Sequence, residues 1–488
     1  MSSSSAEVFD KARVCHQRGQ FAEALVLFDA LIQHHADVPE VQAGRGDVLI
    51  SMKSPAPALA CYDKAIALRP AEPRYHVKKG VALQLLGRLD DALQSYDQAI
   101  TLDATGADAH YNKGTVLAAM ERLDEAAASY DEALRLRPGF AQAWSNKGVA
   151  LQALKRPTQA LVCFDRAIAL MPANNVMRRN KAFCSLLLGQ FEEGWRLYEE
   201  RPGHPLRASA VTDKRLWSGE EDLTGKTLLV HGEQGLGDVI QFCRYAALAE
   251  AQGARVTLAA PAALVRLLGQ SGLRVVDEHA SAGDFDFHIA LLSMPLVFRT
   301  DAKTIPAVLP YLAAEPDRVA VWSQKLGPQG FRIGIAWQGD KARNVDAGRS
   351  IPLRHFASLA DIPGVRLISL QKNYGTEQLA HLPDGMAVDV LGEAFDAGPD
   401  AFVDSAAVME SLDLVITSDT AIAHLAGALG RPVWLALQHV PEWRWQLDRD
   451  DSPWYPGMRL FRQQTRGDWS TVFAQMQAEL TAMVRAAS

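Results

Sequence analysis

The sequence predicts an α superhelix of paired helices followed by two α/β domains with parallel sheets. Three observations carry this. An alanine–aromatic pattern recurs every 34 residues through the first third of the chain. From Thr227 onward, short apolar runs alternate with helical ones. Two turns of that second region, His231–Asp238 and Ser418–Thr420, have the glycine-rich or N-capping composition of strand-to-helix turns. The expected boundaries are 1–205 for the repeats, 206–314 for the first α/β domain and 315–488 for the second.

Composition narrows the class. The 488 residues are 48% hydrophobic and 22% charged, as in ordinary globular proteins, and leave room for about three domains. Lys and Arg number 50 against 57 Asp and Glu, a net charge of −7, so no basic footprint for nucleic acid is expected. The start, MSSSSAEVFDKARVCHQ, has no apolar signal core, and no run approaches the ~18 apolar residues of a membrane span. The five cysteines show no metal-binding spacing, and the four in the repeats read as small core residues in a reducing compartment. A cytoplasmic protein with no membrane span and no metal is the expectation.

In the first region, Ala24, Ala58, Ala92, Ala126 and Ala160 keep one register, and Phe28, Tyr62, Tyr96, Tyr130 and Phe164 follow each by four. Gly46, Gly80, Gly114 and Gly148 hold the same frame, and Pro70, Pro138 and Pro172 close three units. This pattern resembles the tetratricopeptide repeat: five units from Ser5 to about Leu170, then a less regular sixth from Asn175 through Gly189, Gly194, Tyr198 and Pro202. One such unit cannot bury its apolar face alone, so the units stack into a superhelix with a concave groove. Two uses stay open: recognition of a protein segment, or a rigid spacer or dimerisation arm. Asn112 and Asn146, beside Lys113 and Lys147, recur on the first helix of their repeats and are candidates for contacting a peptide backbone.

In the second region, Thr227–Val230 reads as a strand, Val239–Gln252 as a helix, Ala254–Ala259 as a strand and Pro261–Gln270 as a helix. Leu273–Val276 and Phe287–Leu292 read as strands, and Pro316–Leu326 as a connecting helix. Phe331–Trp337 opens a second series, which continues through Val365–Leu370, Leu412–Thr417, Val433–Leu437 and a closing helix Trp469–Arg485. Two open sheets of this kind receive ligand in the cleft at their strand C-terminal ends.

The turn Gly232-Glu233-Gln234-Gly235-Leu236-Gly237 is spaced G-x-x-G-x-G, not as a dinucleotide fingerprint, and no acidic residue ends Ala254–Ala259. Asp238, where the turn becomes a helix, is either an N-cap or a carboxylate at the cleft mouth. In the second series Thr420 and His424 lie four apart, on one face at a helix N-terminus whose N–H groups and dipole suit phosphate. Asp284-Phe285-Asp286 has the D-x-D form of a metal–nucleotide site, but chance alternation before a strand explains it better. The aromatic loop Pro441–Pro456 either lines the cleft or packs between domains.

Together, GLGDVIQF (235–242), RIGIAWQG (332–339) and SDTAIAHLAGALGRPVW (418–434) resemble the heptosyltransferase-like glycosyltransferases of family nine, which have the GT-B architecture of two facing Rossmann-like domains. With the repeats in front, the chain is similar to the bacterial group that includes flagellin and protein O-glycosyltransferases. The resemblance implies that Asp238 is the general base, within the acceptor-side turn of Gly235, Gly237 and Gln241. It implies that Asp419, Thr420, Ala421 and His424 hold the donor diphosphate. Basic residues after the strand at 331–337 would balance the leaving group, which makes Arg349 the first choice and Lys341, Arg343 and Lys372 further candidates. The family usually has Gly where this chain has Ala421.

The reading is therefore an inverting glycosyltransferase that uses a nucleotide-sugar co-substrate, no cofactor and no metal, with a protein acceptor selected by the repeats. The alternatives are a protein-binding scaffold whose α/β region is inactive or only senses nucleotide, and a carbohydrate acceptor in place of a protein.

Overall fold

The computed structural model describes residues 3–201, 215–281, 283–340 and 348–487. It divides into two compact units, Met1–Lys181 and Ala182–Ser488.

The first unit is built from helix pairs, beginning with Ser3–Gln17 and Phe21–His35 and reaching Ala141–Ala153 and Pro157–Leu170. Proline opens several of these helices, at Pro39, Pro55, Pro73 and Pro157, where its missing N–H costs nothing. The 34-residue register is a packing rule. A Cβ added at Gly46, Gly80 or Gly148 would lie 2.5 Å from the ring of Tyr62, Tyr96 or Phe164, and one at Gly114 would lie 2.7 Å from Tyr130. Each aromatic therefore needs a glycine on the helix before it, and each is at most 1% exposed. Ala24, Ala58, Ala92, Ala126 and Ala160 are all fully buried where helices cross. The same period carries an ion ladder on the surface: Arg45–Asp29, Lys79–Asp63, Lys113–Asp97, Lys147–Asp131 and Lys181–Asp165. All five cysteines are buried.

The second unit starts within the sixth pair, so the helix Phe191–Tyr198 packs with the α/β region. Two parallel sheets follow. The first runs in the order β1 (Arg215–Leu216), β5 (Phe287–Ala290), β2 (Thr227–His231), β3 (Arg255–Ala260), β4 (Arg274–Asp277). The second has the order β11 (Met458–Arg462), β10 (Val433–Leu437), β9 (Leu414–Ser418), β6 (Phe331–Ala336), β7 (Val365–Ser369), β8 (Val388–Val390). Renumbered from its own first strand, the second sheet reads 6-5-4-1-2-3, the doubly wound order, with its switch point between β6 and β9. The first sheet has its switch point between β2 and β5. These are the two sheets expected of an α/β GT-B region.

Several elements differ from the sequence expectation. The helix expected over Val239–Gln252 begins earlier and breaks at Cys243, giving Leu236–Phe242 and Arg244–Ala251. The Arg244 Nε donates to the Gln241 carbonyl at 2.8 Å and so takes the acceptor that the next turn of helix would use. The strand expected to reach Leu292 stops at Ala290, because the Leu292 N–H donates to the Glu233 carboxylate instead of to a neighbouring strand. β1, β8, β11 and the helix Val403–Met409 carry no expectation from sequence. Asp284 and Asp286 precede β5 at its N-terminal end, and Asp286 accepts from the Thr227 N–H and hydroxyl, both at 2.8 Å. That is the rim opposite the cleft. Among the described residues no helix is long and apolar enough to cross a membrane.

Candidate active site

The turn after β2 and the turn after β9 meet. The helix Leu236–Phe242 packs on the helix Ala421–Ala428, and the contact is close because Gly237 has no side chain. A Cβ there would lie 3.1 Å from His424 Cδ2 and 3.3 Å from Ala421 Cα. Ala421, where the family usually has Gly, thus forms part of the contact between the two halves.

Asp238 is not an N-cap. It occupies the third position of its helix, and its Oδ2 reaches back to accept from the Gly235 N–H at 2.9 Å. Its Oδ1 accepts from Arg444, which the sequence reading did not single out. Arg444 is 7% exposed and spends its whole fork on the site. Nε donates to Gln241 Oε1, NH1 to Glu442 at 2.7 Å and NH2 to Asp238. Its plane lies over Trp443, 4.3 Å from the ring centre. Burial opposes the charge, but the carboxylates of Glu442 and Asp238 more than offset it and hold the guanidinium protonated. Burial raises the carboxyl of Glu442 above its ordinary value against the pull of Arg444. Gln241 is fully buried.

Thr420 is the N-cap of Ala421–Ala428, yet its hydroxyl does not fold back on that helix; it lies 3.4 Å from the Thr417 hydroxyl. His424 is 6% exposed, stacks on Trp445 at 5.5 Å, and shares a 2.9 Å hydrogen bond between Nδ1 and the Tyr455 hydroxyl. Burial, and then the charges of Arg444, Arg244 and Arg349, push its pKa well below the ordinary imidazole range, so the ring is neutral. Tyr455 is itself fixed by Arg244, whose guanidinium lies between Tyr311 and Tyr455 at 4.2 and 4.7 Å.

Arg349 forms a loose pair with Asp419, Nε to Oδ2 3.7 Å, and its charge is felt at both His424 and Glu442. Lys372 does not join this group. It follows β7 and donates to the Phe395 carbonyl, 6.0 Å above that ring. Lys341 and Arg343 lie outside the described residues. In the repeats, Asn146 donates to the Tyr111 hydroxyl at 3.1 Å, and Lys113 and Lys147 are paired within the ladder.

The residues to which the sequence assigned no individual role, Arg444, Glu442, Trp445 and Tyr455, all come from the aromatic loop after β10, which was expected either to line the cleft or to pack between domains. The signal available was a charge set between two tryptophans, Trp443-Arg444-Trp445, directly beyond a strand end on the cleft rim. The loop both lines the site, through Trp445 on His424, and packs away from it, through Trp443 and Trp454.

Tetratricopeptide repeat families match residues 83–121 and 111–175. Glycosyltransferase family 9 (heptosyltransferase) matches residues 352–437, which takes in Lys372 and Asp419–His424 but neither Asp238 nor Arg444. Protein FlbA of Caulobacter vibrioides is 29% identical over 332 residues, 62% of this chain; the chain spans 55% of that protein's length. Among solved structures, the chain is similar to PilW, a type IV pilus biogenesis factor (15% identical, 43% of this chain and 97% of that one, TM-score 0.40). It is also similar to a thermophilic tetratricopeptide-repeat protein of Thermus thermophilus (21% identical, 37% and 99%, TM-score 0.34). Matches to tetratricopeptide repeats at 83–175 and to glycosyltransferase family 9 at 352–437 thus occur in one sequence.

Proposed function

We propose that this protein is an inverting glycosyltransferase that moves a sugar from a nucleotide-sugar donor to a hydroxyl on a protein acceptor held by the repeats. The observation that carries the reading is the meeting of the two turns: the close packing of Gly237 on Ala421 and His424 sets the turn of Asp238 beside a helix N-terminus. In this reading Asp238 takes the proton of the acceptor hydroxyl as its oxygen attacks the anomeric carbon, while the bond from that carbon to the donor phosphate breaks on the opposite face. Arg444 and the Gly235 N–H fix the orientation of the carboxylate. The charge gathering on the departing diphosphate is met by the N–H groups at Thr420–Ile422, by neutral His424 and by Arg349. Charge balance is assigned to these side chains and to no metal ion, so chelator should leave turnover unchanged. The cytoplasmic location stays part of the proposal. The resemblance makes flagellin the first acceptor to try.

The test is Asp238→Ala, assayed as turnover of UDP-, GDP- and ADP-linked sugars with candidate acceptor. Transfer should collapse while binding of the donor, measured by calorimetry, survives. Undiminished turnover would remove Asp238 from the mechanism. A second reading, a repeat scaffold with an inactive α/β region, is favoured by one fact: both oxygens of Asp238 already accept from the protein's own donors. No thermal shift with any nucleotide sugar of the panel would favour that scaffold.

A further inference from the structure

The crevice between the C-terminal ends of β2 and β5 is the switch point of the first sheet, where an open parallel sheet ordinarily receives ligand. Here a side chain from the last repeat fills it. Arg201, three residues beyond the helix Phe191–Tyr198, has a side chain 1% exposed. Its Nε and NH2 donate to the two oxygens of Glu233 at 2.8 and 2.6 Å, and NH2 also reaches the Ser293 hydroxyl at 2.9 Å. Glu233 lies two residues past β2 and accepts from the Leu292 N–H, two residues past β5. One fork thus pins both strand ends.

The pinned segment leads directly into the site. The next residue, Gln234, holds φ at +65°, a left-handed conformation that residues other than glycine adopt rarely and only when their surroundings enforce it. The Tyr198 hydroxyl donates to its side chain at 3.3 Å. Gly235 follows, and its N–H is the one that Asp238 accepts. The same helix also braces the far side: Trp195 meets Trp443 edge-on at 5.2 Å, and Trp443 carries Arg444 on its face.

We infer that the helix Phe191–Tyr198 and Arg201 belong functionally to the transferase region, with Arg201 a positioning residue that sets the turn carrying Asp238. The inference rests on the proposed role of Asp238. Deleting one partner of a buried, hydrogen-bonded ion pair leaves the other charge uncompensated, so Glu233 loses its place and the turn its enforced conformation. A chain begun after Arg201 would lack a working turn even with both sheets present.

The experiment is hydrogen exchange of the full chain by mass spectrometry, comparing wild type with Arg201→Met, Arg201→Lys and the milder Tyr198→Phe, beside turnover of the UDP-, GDP- and ADP-sugar panel. Arg201→Met should speed exchange at 232–242 by on the order of tenfold or more and leave helices 21–170 unchanged. Turnover should fall by roughly tenfold to a hundredfold through kcat at constant donor KM, the cost of a misplaced reacting group. Arg201→Lys should restore part of both. Tyr198→Phe, which removes one hydroxyl, should loosen only the turn and shows the effect if Arg201→Met does not fold. Unchanged exchange at 232–242, or equal acceleration across 182–488, overturns the inference and leaves Asp238 untouched. A loosened turn with wild-type turnover also overturns it. Asp238→Ala in parallel then shows whether Asp238 was wrongly assigned.

Discussion

Arg444→Met tests the centre of the site through stability as well as activity. The substitution keeps the apolar stem and removes a guanidinium bound to three side chains. Glu442 and Asp238 are left without their shared cation, at side-chain exposures of 16% and 22%. Removing one partner of a buried pair costs about 3–5 kcal/mol. Each carboxylate keeps one backbone donor, Glu442 the N–H of residue 444 and Asp238 that of Gly235, so the low end, about 3 kcal/mol, applies. For a unit of this size about 2 °C is lost per kcal/mol, giving a fall in Tm of roughly 6 °C. The deficit should depend on pH with a definite sign. Burial already raises Glu442, and without Arg444 its folded pKa rises further above the unfolded value. Such a group supports the fold fully below its unfolded pKa and loses that support as pH rises through its folded pKa. The gap between variant and wild type should therefore be largest at neutral pH and narrow as pH falls toward ~4.3, the unperturbed value for Glu. Calorimetric scans from pH 7.5 to 4.5 measure it. A Tm within about 1 °C of wild type, or a gap that ignores pH, would refute the assignment of Arg444 as the buried tie between these carboxylates.

Three further outcomes follow from the same geometry. Thr420→Val should weaken binding of a nucleoside diphosphate about tenfold, one hydrogen bond to a charged group, and titration calorimetry with UDP, GDP and ADP reads it. Gly427→Ala should destabilise by about 3 kcal/mol, because its Cβ would lie 2.4 Å from Cδ1 of the fully buried Tyr455, whose hydroxyl holds His424; an unshifted melting curve would contradict this packing. His231 and His424 both have pKa values depressed by burial, His231 to about 4 with His288 as second cause. A depressed group supports the fold above its unfolded value and loses that support as pH falls, so His231→Phe should flatten the loss of stability between pH ~6.5 and 4.

What was legible in the sequence follows from what repeats or alternates. The helix pairs announce themselves because four of the units solve the same packing problem, a ring over a glycine of the preceding helix, at the same spacing. β10 matches its expected bounds, Val433–Leu437, because a strand buried on both faces is apolar throughout. The helix start at Leu236 was hidden: Gly-Leu-Gly composes like a turn, and only the reach of Asp238 back to Gly235 shows where helical bonding begins. Arg444 and Arg201 were hard to assign for another reason. Each has one partner close by, but the carboxylates that give them their roles, Asp238 and Glu233, lie 206 and 32 residues away. Lys372 shows the reverse: its position past a strand end is read from sequence, while the turn of its side chain to the Phe395 carbonyl carries no local mark.

The most direct measurement of the central claim is the intact mass of flagellin co-expressed with this protein, with the Asp238→Ala variant, and alone. A mass increase by whole glycosyl units is expected with the wild-type chain and none with the variant. The same mass in all three samples, while a nucleotide sugar still binds, would contradict transfer to that acceptor; equal modification by wild type and variant would contradict the site itself.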